Sequence, residues 1–191
     1  MRWVAVEIFE NLLAQNNSHI NKIAIVGGSS MDPEVAILRK AYPNSEIKYF
    51  GIDNYGQEIN WKTLDLNQIS SLDEKHDLVV CCQVLEHVWN QSAAFENIRS
   101  LTMVDGLVWI NCPASNIAHG SPEYFSAGYS PDYLATNMIN NGFELLAKGA
   151  IGSERNYFAT HLLRLWATPL EHAKPLFGYR VPKPITKGKL F

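Results

Sequence analysis

Ile23-Ala24-Ile25-Val26 is an unbroken apolar run, bounded by Lys22 and by Gly27-Gly28. A short apolar run closed by turn residues predicts a strand covered on both faces. Asp32-Pro33 follows, an N-cap residue before a proline at the first helical position, where a missing N–H costs nothing. Val35, Leu38 and Ala41 line one side of that helix, and Tyr42-Pro43-Asn44 stops it. Upstream, Val4, Ile8, Leu12 and Ala5, Phe9, Leu13 repeat at helical spacing, which predicts an N-terminal helix within residues 1–20.

The same patterning continues downstream. Ile47–Ile52, Trp61–Leu64, Leu78–Cys82 and Leu107–Ile110 are expected strands, the last after a turn at Asp105-Gly106. Phe143–Lys148 and Thr160–Ala167 are expected as the final two. A helical region runs from Val84 through Ala93, Ile98 and Leu101 to Met103. Another begins at Ser130-Pro131-Asp132 and stops at Asn141-Gly142. Cys112 to Ser130 is long and irregular, with Pro113, Gly120, Pro122 and Gly128. Residues 170–191 read as an extended surface tail. Strands alternating with helices predict an α/β fold: a Rossmann-like, doubly wound, mostly parallel seven-stranded sheet with helices on both faces. One domain over residues 1–191 is expected. Right-handed crossovers place the loops after strands along one edge. Asp53, Asp65, Gln83 and Cys112-Pro113 then gather beside Gly27-Gly28.

Composition narrows the partners. Of 191 residues, 47% are hydrophobic and only 18% charged, below the usual quarter. That favours a well-buried sheet and leaves a homodimer open as an assembly. A net charge of −3 gives no basic footprint for nucleic acid. No run is long and apolar enough to cross a bilayer, and Met1-Arg2-Trp3 does not lead into a signal-peptide core. Cys81, Cys82 and Cys112 form no CxxC pair, so they read as reduced thiols of a cytoplasmic protein. His76, His87, His119 and the cysteines show no metal-ligand spacing, so no metal site is expected.

The first turn discriminates among cofactors. A dinucleotide pyrophosphate needs G-x-G-x-x-G and a helix N-terminus free for negative charge. Here Gly27, Ser29 and Asp32 stand at those places. Asp32 and Glu34 put carboxylates at the helix start, and Asp32 as N-cap is expected to occupy its free N–H groups. This disfavours a pyrophosphate and favours an adenosine cofactor without phosphate, carrying a positive sulfonium and ammonium. The Lys-Ser/Thr end of a P-loop is missing. Asp53 stands where an acid would accept from ribose hydroxyls, or it opens the turn Asp53-Asn54-Tyr55-Gly56. Asp65 can accept from an exocyclic adenine amine or cap a helix beginning at Leu66.

The stretch Asp77-Leu78-Val79-Val80-Cys81-Cys82-Gln83-Val84-Leu85-Glu86-His87-Val88 resembles the segment after the adenine-binding loop of class I S-adenosylmethionine-dependent methyltransferases. So does its continuation through Ile98, Leu101, Asp105-Gly106-Leu107 and Ile110-Asn111-Cys112-Pro113. The Leu-Glu-His-Val run is specific to one large branch of small bacterial-type enzymes, some of which act on sugars or polysaccharide precursors. His119-Gly120, Pro122, Tyr124-Phe125 and Gly142-Phe143-Glu144 are similar to that branch as well.

The resemblance implies S-adenosylmethionine as cofactor and methyl transfer to an oxygen or nitrogen of a small molecule or sugar. It places Gly27, Gly28 and Ser29 against the methionine portion. Asp53 would hold the ribose, Asp65 and Leu66 would border the adenine, and Gln83 would lie near the methionine end. The chain departs from the family pattern at Ile25, where an acid is usual, and at Ser29 and Met31, where glycines are. Those departures support a second reading, a methyltransferase-like, non-catalytic binding or partner subunit with a degenerate cofactor turn. A nicotinamide-dependent oxidoreductase, the third reading, has the wrong pyrophosphate turn. Two histidines are candidate catalytic residues: His87 and His119 can each serve as general base for an acceptor hydroxyl. Alternatively, Glu86-His87 is a structural pair at the sheet edge and His119 is a solvated loop residue. Tyr124 is an aromatic wall for the acceptor or loop packing, and His161 reads as a structural strand residue.

Overall fold

The computed structural model describes residues 2–15, 19–116, 119 and 123–151, with side chains from Ala5 onward. In chain order the elements are α1 (Arg2–Gln15), β1 (Lys22–Val26), α2 (Pro33–Ala41), β2 (Glu46–Gly51) and β3 (Trp61–Thr63). Then come β4 (His76–Cys82), a single 3-10 turn (Leu85–His87), α3 (Gln91–Leu101), β5 (Thr102–Asn111) and α4 (Pro131–Asn140). Among the described residues, five strands form one sheet in the order β3-β2-β1-β4-β5, and every neighbouring pair is parallel. No described helix is long and apolar enough to cross a membrane.

Alternation along β1 and β4 builds the core on both faces of the sheet. Ile23, Ile25, Leu78 and Val80 pack with Phe9 and Leu13 of α1 and Val35 and Leu38 of α2. Ala24, Val26, Val79 and Cys81 pack with Phe95, Ile98 and Leu101 of α3. Cys81 and Cys82 therefore face opposite sides, Cys82 lying against the first cluster. Of the two stripes expected on α1, Ala5-Phe9-Leu13 is the buried one, and Phe9 stacks on Trp109 at 5.1 Å. Ile8 is exposed.

Three expectations change. The helical region from Val84 is broken: the chain makes one 3-10 turn, then restarts at Gln91 with Asn90 as N-cap accepting from Ala93 N–H. Asp105-Gly106 does not precede the fifth strand but lies inside it, as an irregularity. Asp105 takes φ 60°, and pairing jumps from His76↔Thr102 to Leu78↔Leu107. A side chain at Gly106 would crowd the Met103 and His76 carbonyls, so this site suits a bulge. Phe143–Lys148 forms no strand; Leu145 and Leu146 are exposed, and no described neighbour supplies a ladder. Thr160–Ala167, His161 and the tail lie outside the described residues, as do Gly120 and Pro122.

The loop after β3 is strapped to α3 by a buried amide. Asn97 is fully buried; its Nδ2 donates to Gln68 O at 2.8 Å and its Oδ1 accepts from Ser70 N–H at 2.9 Å. Asn67 ties the same loop to the helix start, its Oδ1 accepting from the Trp89 and Asn90 N–H groups. Replacing Asn97→Ala takes the partners from the Gln68 carbonyl and the Ser70 N–H and empties a buried side-chain site, so unfolding stability should drop by about 2 kcal/mol. A urea midpoint equal to the unchanged protein's would contradict this strap.

Candidate active site

β1 is flanked by β2 and β4, which are reached by crossovers in opposite directions, so a crevice opens beyond the strand ends at this reversal. Gly27 stands at its floor. Its φ is +68°, its N–H donates to Phe50 O at 2.7 Å, and a Cβ there would lie 2.5 Å from Val84 Cγ2. Both the backbone angle and the approach of the β4 loop demand glycine. At Gly28 a Cβ would meet Ile25 Cγ2 at 2.8 Å and Asp32 Oδ2 at 2.9 Å. Here a bulkier residue would have to displace the Ile25 and Asp32 side chains.

The donors of this turn are directed onto the chain's own acids. Ser29 N–H donates to Asp32 Oδ2 at 2.7 Å, and Ser30 N–H to Glu58 Oε1 at 2.6 Å. Asp32 occupies the N-cap position of α2, yet its side chain caps no helical N–H. That corrects the expected role. Pro33 offers no donor, and Val35 and Ala36 N–H reach the Asp32 main-chain oxygen, so the carboxylate turns back to the loop. Asp32, Glu34, Ile25, Gly28 and Cys82 line one small cleft beside the turn. An acid missing at position 25 is thus supplied to this cleft from the start of α2.

The other expected cofactor residues take varied positions. Asp53 is exposed just past β2, and its Oδ2 accepts from the Tyr55 hydroxyl at 2.9 Å. That bond, with the carboxylate's charge, pushes the Tyr55 phenol up. Asp53 and Gly27 are brought close through Gly51, whose added Cβ would be 3.8 Å from Asp53 O and 3.9 Å from Gly27 Cα. Asp65 reaches this edge because Leu64 N–H donates to Gly51 O at 2.9 Å. It caps a turn rather than a helix: Oδ1 accepts from Asn67 N–H and Nδ2, and Oδ2 from Gln68 Nε2. Leu66 is buried among α3-side core residues. Gln83 adopts φ 59°, its N–H bonds Asn111 O and its Nε2 bonds Asn111 Oδ1 at 2.6 Å. It thereby joins the ends of β4 and β5.

Beyond Gln83 lies a group that spacing along the chain does not reveal. Glu86, His87 and His119 bring one ligand-capable atom each to within 4.8 Å of one another. The expectation of no metal site rested on spacing along the chain; in space the loop after β5 carries His119 back to the β4 end. The rings of His87 and His119 meet edge-on at 4.9 Å, with Tyr124 against both. His87 Nδ1 faces the Glu123 carbonyl, which can only accept, so Nδ1 carries a hydrogen and Nε2 is the ring nitrogen left for other partners. Glu86 is fully buried, and neither carboxylate oxygen has a hydrogen-bond partner among the described residues. Burial pushes its carboxyl up; its own backbone N–H and the nearby imidazoles pull it down less strongly. The Glu86 carbonyl accepts from Phe125 and Ser126 N–H, which anchors the loop. The Tyr124 hydroxyl donates to Asn116 O at 2.8 Å. Sequence reasoning singled out His87 and His119 as candidate bases, and Glu86 only as the neighbour of His87 in a structural pair. A larger cleft lies at the opposite edge, among Lys22, Lys48, Glu74 and His76 at the strand starts, away from these residues.

Residues 11–110 match a family model described as a methyltransferase domain. The chain is 28% identical over 115 residues to a ubiquinone biosynthesis O-methyltransferase of Glaesserella parasuis, covering 60% of this chain and 43% of that protein. It thus spans less than half the length of that relative. An O-methyltransferase family protein from Burkholderia thailandensis superposes with a TM-score of 0.58 at 10% identity, over 78% of this chain and 53% of that one. Human N-acetylserotonin methyltransferase in complex with SAM superposes with a TM-score of 0.51 at 16% identity, over 71% and 46%. At these identities the structural likeness shows a shared fold.

The crowding at Gly27 can be measured directly. Gly27→Ala should lower stability by about 2 kcal/mol or more, combining the left-handed backbone with the Val84 contact. Adding Val84→Ala should make the effect of Gly27→Ala smaller, as expected for residues in contact. Strictly additive unfolding energies in that double-mutant cycle would show that the two loops do not meet.

Proposed function

We propose that this chain, which belongs to the methyltransferase domain family, transfers the sulfonium methyl of S-adenosylmethionine to an oxygen or nitrogen of a small molecule or sugar. The observation that carries this reading is the charge of the crevice at Gly27-Gly28. Asp32 and Glu34 line its cleft, and the N–H groups of Ser29 and Ser30 already face carboxylates. Such a site repels a pyrophosphate and suits the ammonium and sulfonium of a cofactor without phosphate. Gly27, Gly28 and Ser29 would border the methionine portion, with Asp32 standing in for the acid absent at Ile25. Asp53 would accept from the ribose, and the strapped loop at Asp65 and Leu66 would border the adenine. Gln83 would lie by the methionine end.

In this reading the acceptor enters from the side of Glu86, His87, His119 and Tyr124. The nucleophile attacks the methyl carbon in line with the carbon–sulfur bond, whose electron pair returns to sulfur and leaves S-adenosylhomocysteine. Holding nucleophile, carbon and sulfur in line is the main contribution of the protein. A hydroxyl acceptor must also lose its proton, and His87 or His119 would ease that loss as general base.

A second reading keeps the fold without the chemistry. Ile25, Ser29 and Met31 support it, and so does the Glu58 carboxylate on Ser30 N–H, which fills a donor of the turn. Calorimetric titration separates the two. The methyltransferase reading expects binding of S-adenosylmethionine and S-adenosylhomocysteine and none of NAD; silence with the first two at millimolar concentration would sink it. Asp53→Ala should weaken binding by about tenfold or more, the loss of a charged hydrogen-bond acceptor; unchanged affinity would return Asp53 to a turn role. His119→Ala should lower turnover while leaving cofactor affinity alone, and an unaltered rate would remove His119 from the mechanism.

A further inference from the structure

We propose that Glu86, His87 and His119 form a site for one divalent transition-metal cation. The argument starts from Glu86. A carboxylate removed from water without a donor is costly, and Glu86 has 0% exposure with both oxygens unpartnered among the described residues. Its possible companions in the cluster are two imidazoles. His87 is oriented for ligation: Nδ1 is held by the Glu123 carbonyl, which leaves Nε2 to ligate when the ring is neutral, the arrangement in which a carbonyl fixes the tautomer of a metal-bound histidine. Tyr124, bonded to Asn116, packs against both rings and limits where they can turn.

The three ligand atoms lie within 4.8 Å of one another. An ion with bonds of about 2.0–2.1 Å draws such atoms to roughly 3.3 Å apart. That closure asks for a rotation of His119, which is exposed on its loop, together with small shifts of the other two side chains. Two nitrogens and one carboxylate oxygen select Zn²⁺, Co²⁺ or Mn²⁺ over Mg²⁺, which prefers oxygen and retains its waters. Three protein ligands leave coordination positions open.

Its use rests on the methyl-transfer reading, although the existence of the site does not. An acceptor hydroxyl bound to the cation becomes more acidic. Its proton leaves to water, the oxygen forms a bond to the methyl carbon, and the carbon–sulfur electron pair stays on sulfur. The histidines then act as ligands, and an oxygen acceptor is favoured over nitrogen.

The test uses the full chain, freed of metal by a chelator and dialysed, then titrated calorimetrically with Zn²⁺, Co²⁺ and Mg²⁺. Co²⁺ is also followed by its visible absorption. One equivalent of Zn²⁺ or Co²⁺ should bind, with Mg²⁺ at least about tenfold weaker, as nitrogen ligands imply. Glu86→Gln and His119→Ala should each weaken Co²⁺ binding by about tenfold or more, the scale of losing one ligand or its support. Because Glu86 is buried, the exposed His119 provides the variant expected to fold normally, verified by circular dichroism. Absence of one-to-one binding, or binding unchanged by His119→Ala, would overturn the site. S-adenosylhomocysteine titrated in parallel separates the two readings. If it binds while the metals do not, the cation site alone fails; if metals bind while it does not, the methyl-transfer reading alone fails.

Discussion

Gly27 is held between two strands that the chain visits far apart in sequence. Its N–H is committed to Phe50 at the end of β2, and its Cα faces Val84 just past β4. Parallel pairing of β1 with both neighbours fixes these ends side by side. A side chain there would strain the φ of +68° and collide with Val84, 2.5 Å from where its Cβ would stand. The crevice, the Asp53 loop and the loop carrying Gln83 and Glu86 all take their places from that contact.

Charge then selects what the crevice can hold. The start of a helix ordinarily attracts an anion. Here Asp32 and Glu58 take up the adjacent Ser29 and Ser30 N–H groups, and Asp32 and Glu34 line the cleft. In the proposed reading, the same carboxylates that discourage a phosphate would give a cationic cofactor end a partner. Beyond Gln83 the balance differs: a buried carboxylate lies beside two imidazoles. The two sides of one sheet edge therefore suit different chemistry.

Much of this was legible in the chain because strands covered on both faces leave continuous apolar runs. Ile23 to Val26 and Leu78 to Cys82 mark the central pair, and Asp32-Pro33 marks the start of α2. What escaped depended on side-chain direction or on tertiary neighbours. Asp32 has the right identity for a helix cap, but Pro33 and the competing main-chain oxygen leave its carboxylate to the Ser29 N–H. Asp105-Gly106 reads as a turn, while the sheet absorbs it as a bulge. Phe143–Lys148 has strand-like residues and no described strand to pair with. Glu86 and His87 were visible as neighbours in sequence, but neither the burial of one nor the return of His119 could be inferred from spacing.

The central claim is that the ends of β1, β2 and β4 hold an adenosine cofactor with a cationic tail. The most direct measurement is a two-dimensional amide NMR titration of the isotope-labelled chain with S-adenosylhomocysteine, which keeps the ammonium. The account predicts saturable shifts concentrated at Gly27, Gly28, Ser29, Asp53, Asp65 and Gln83, with little change at the strand starts near Lys22 and His76. Shifts confined to the strand starts, or none at saturating ligand, would contradict it.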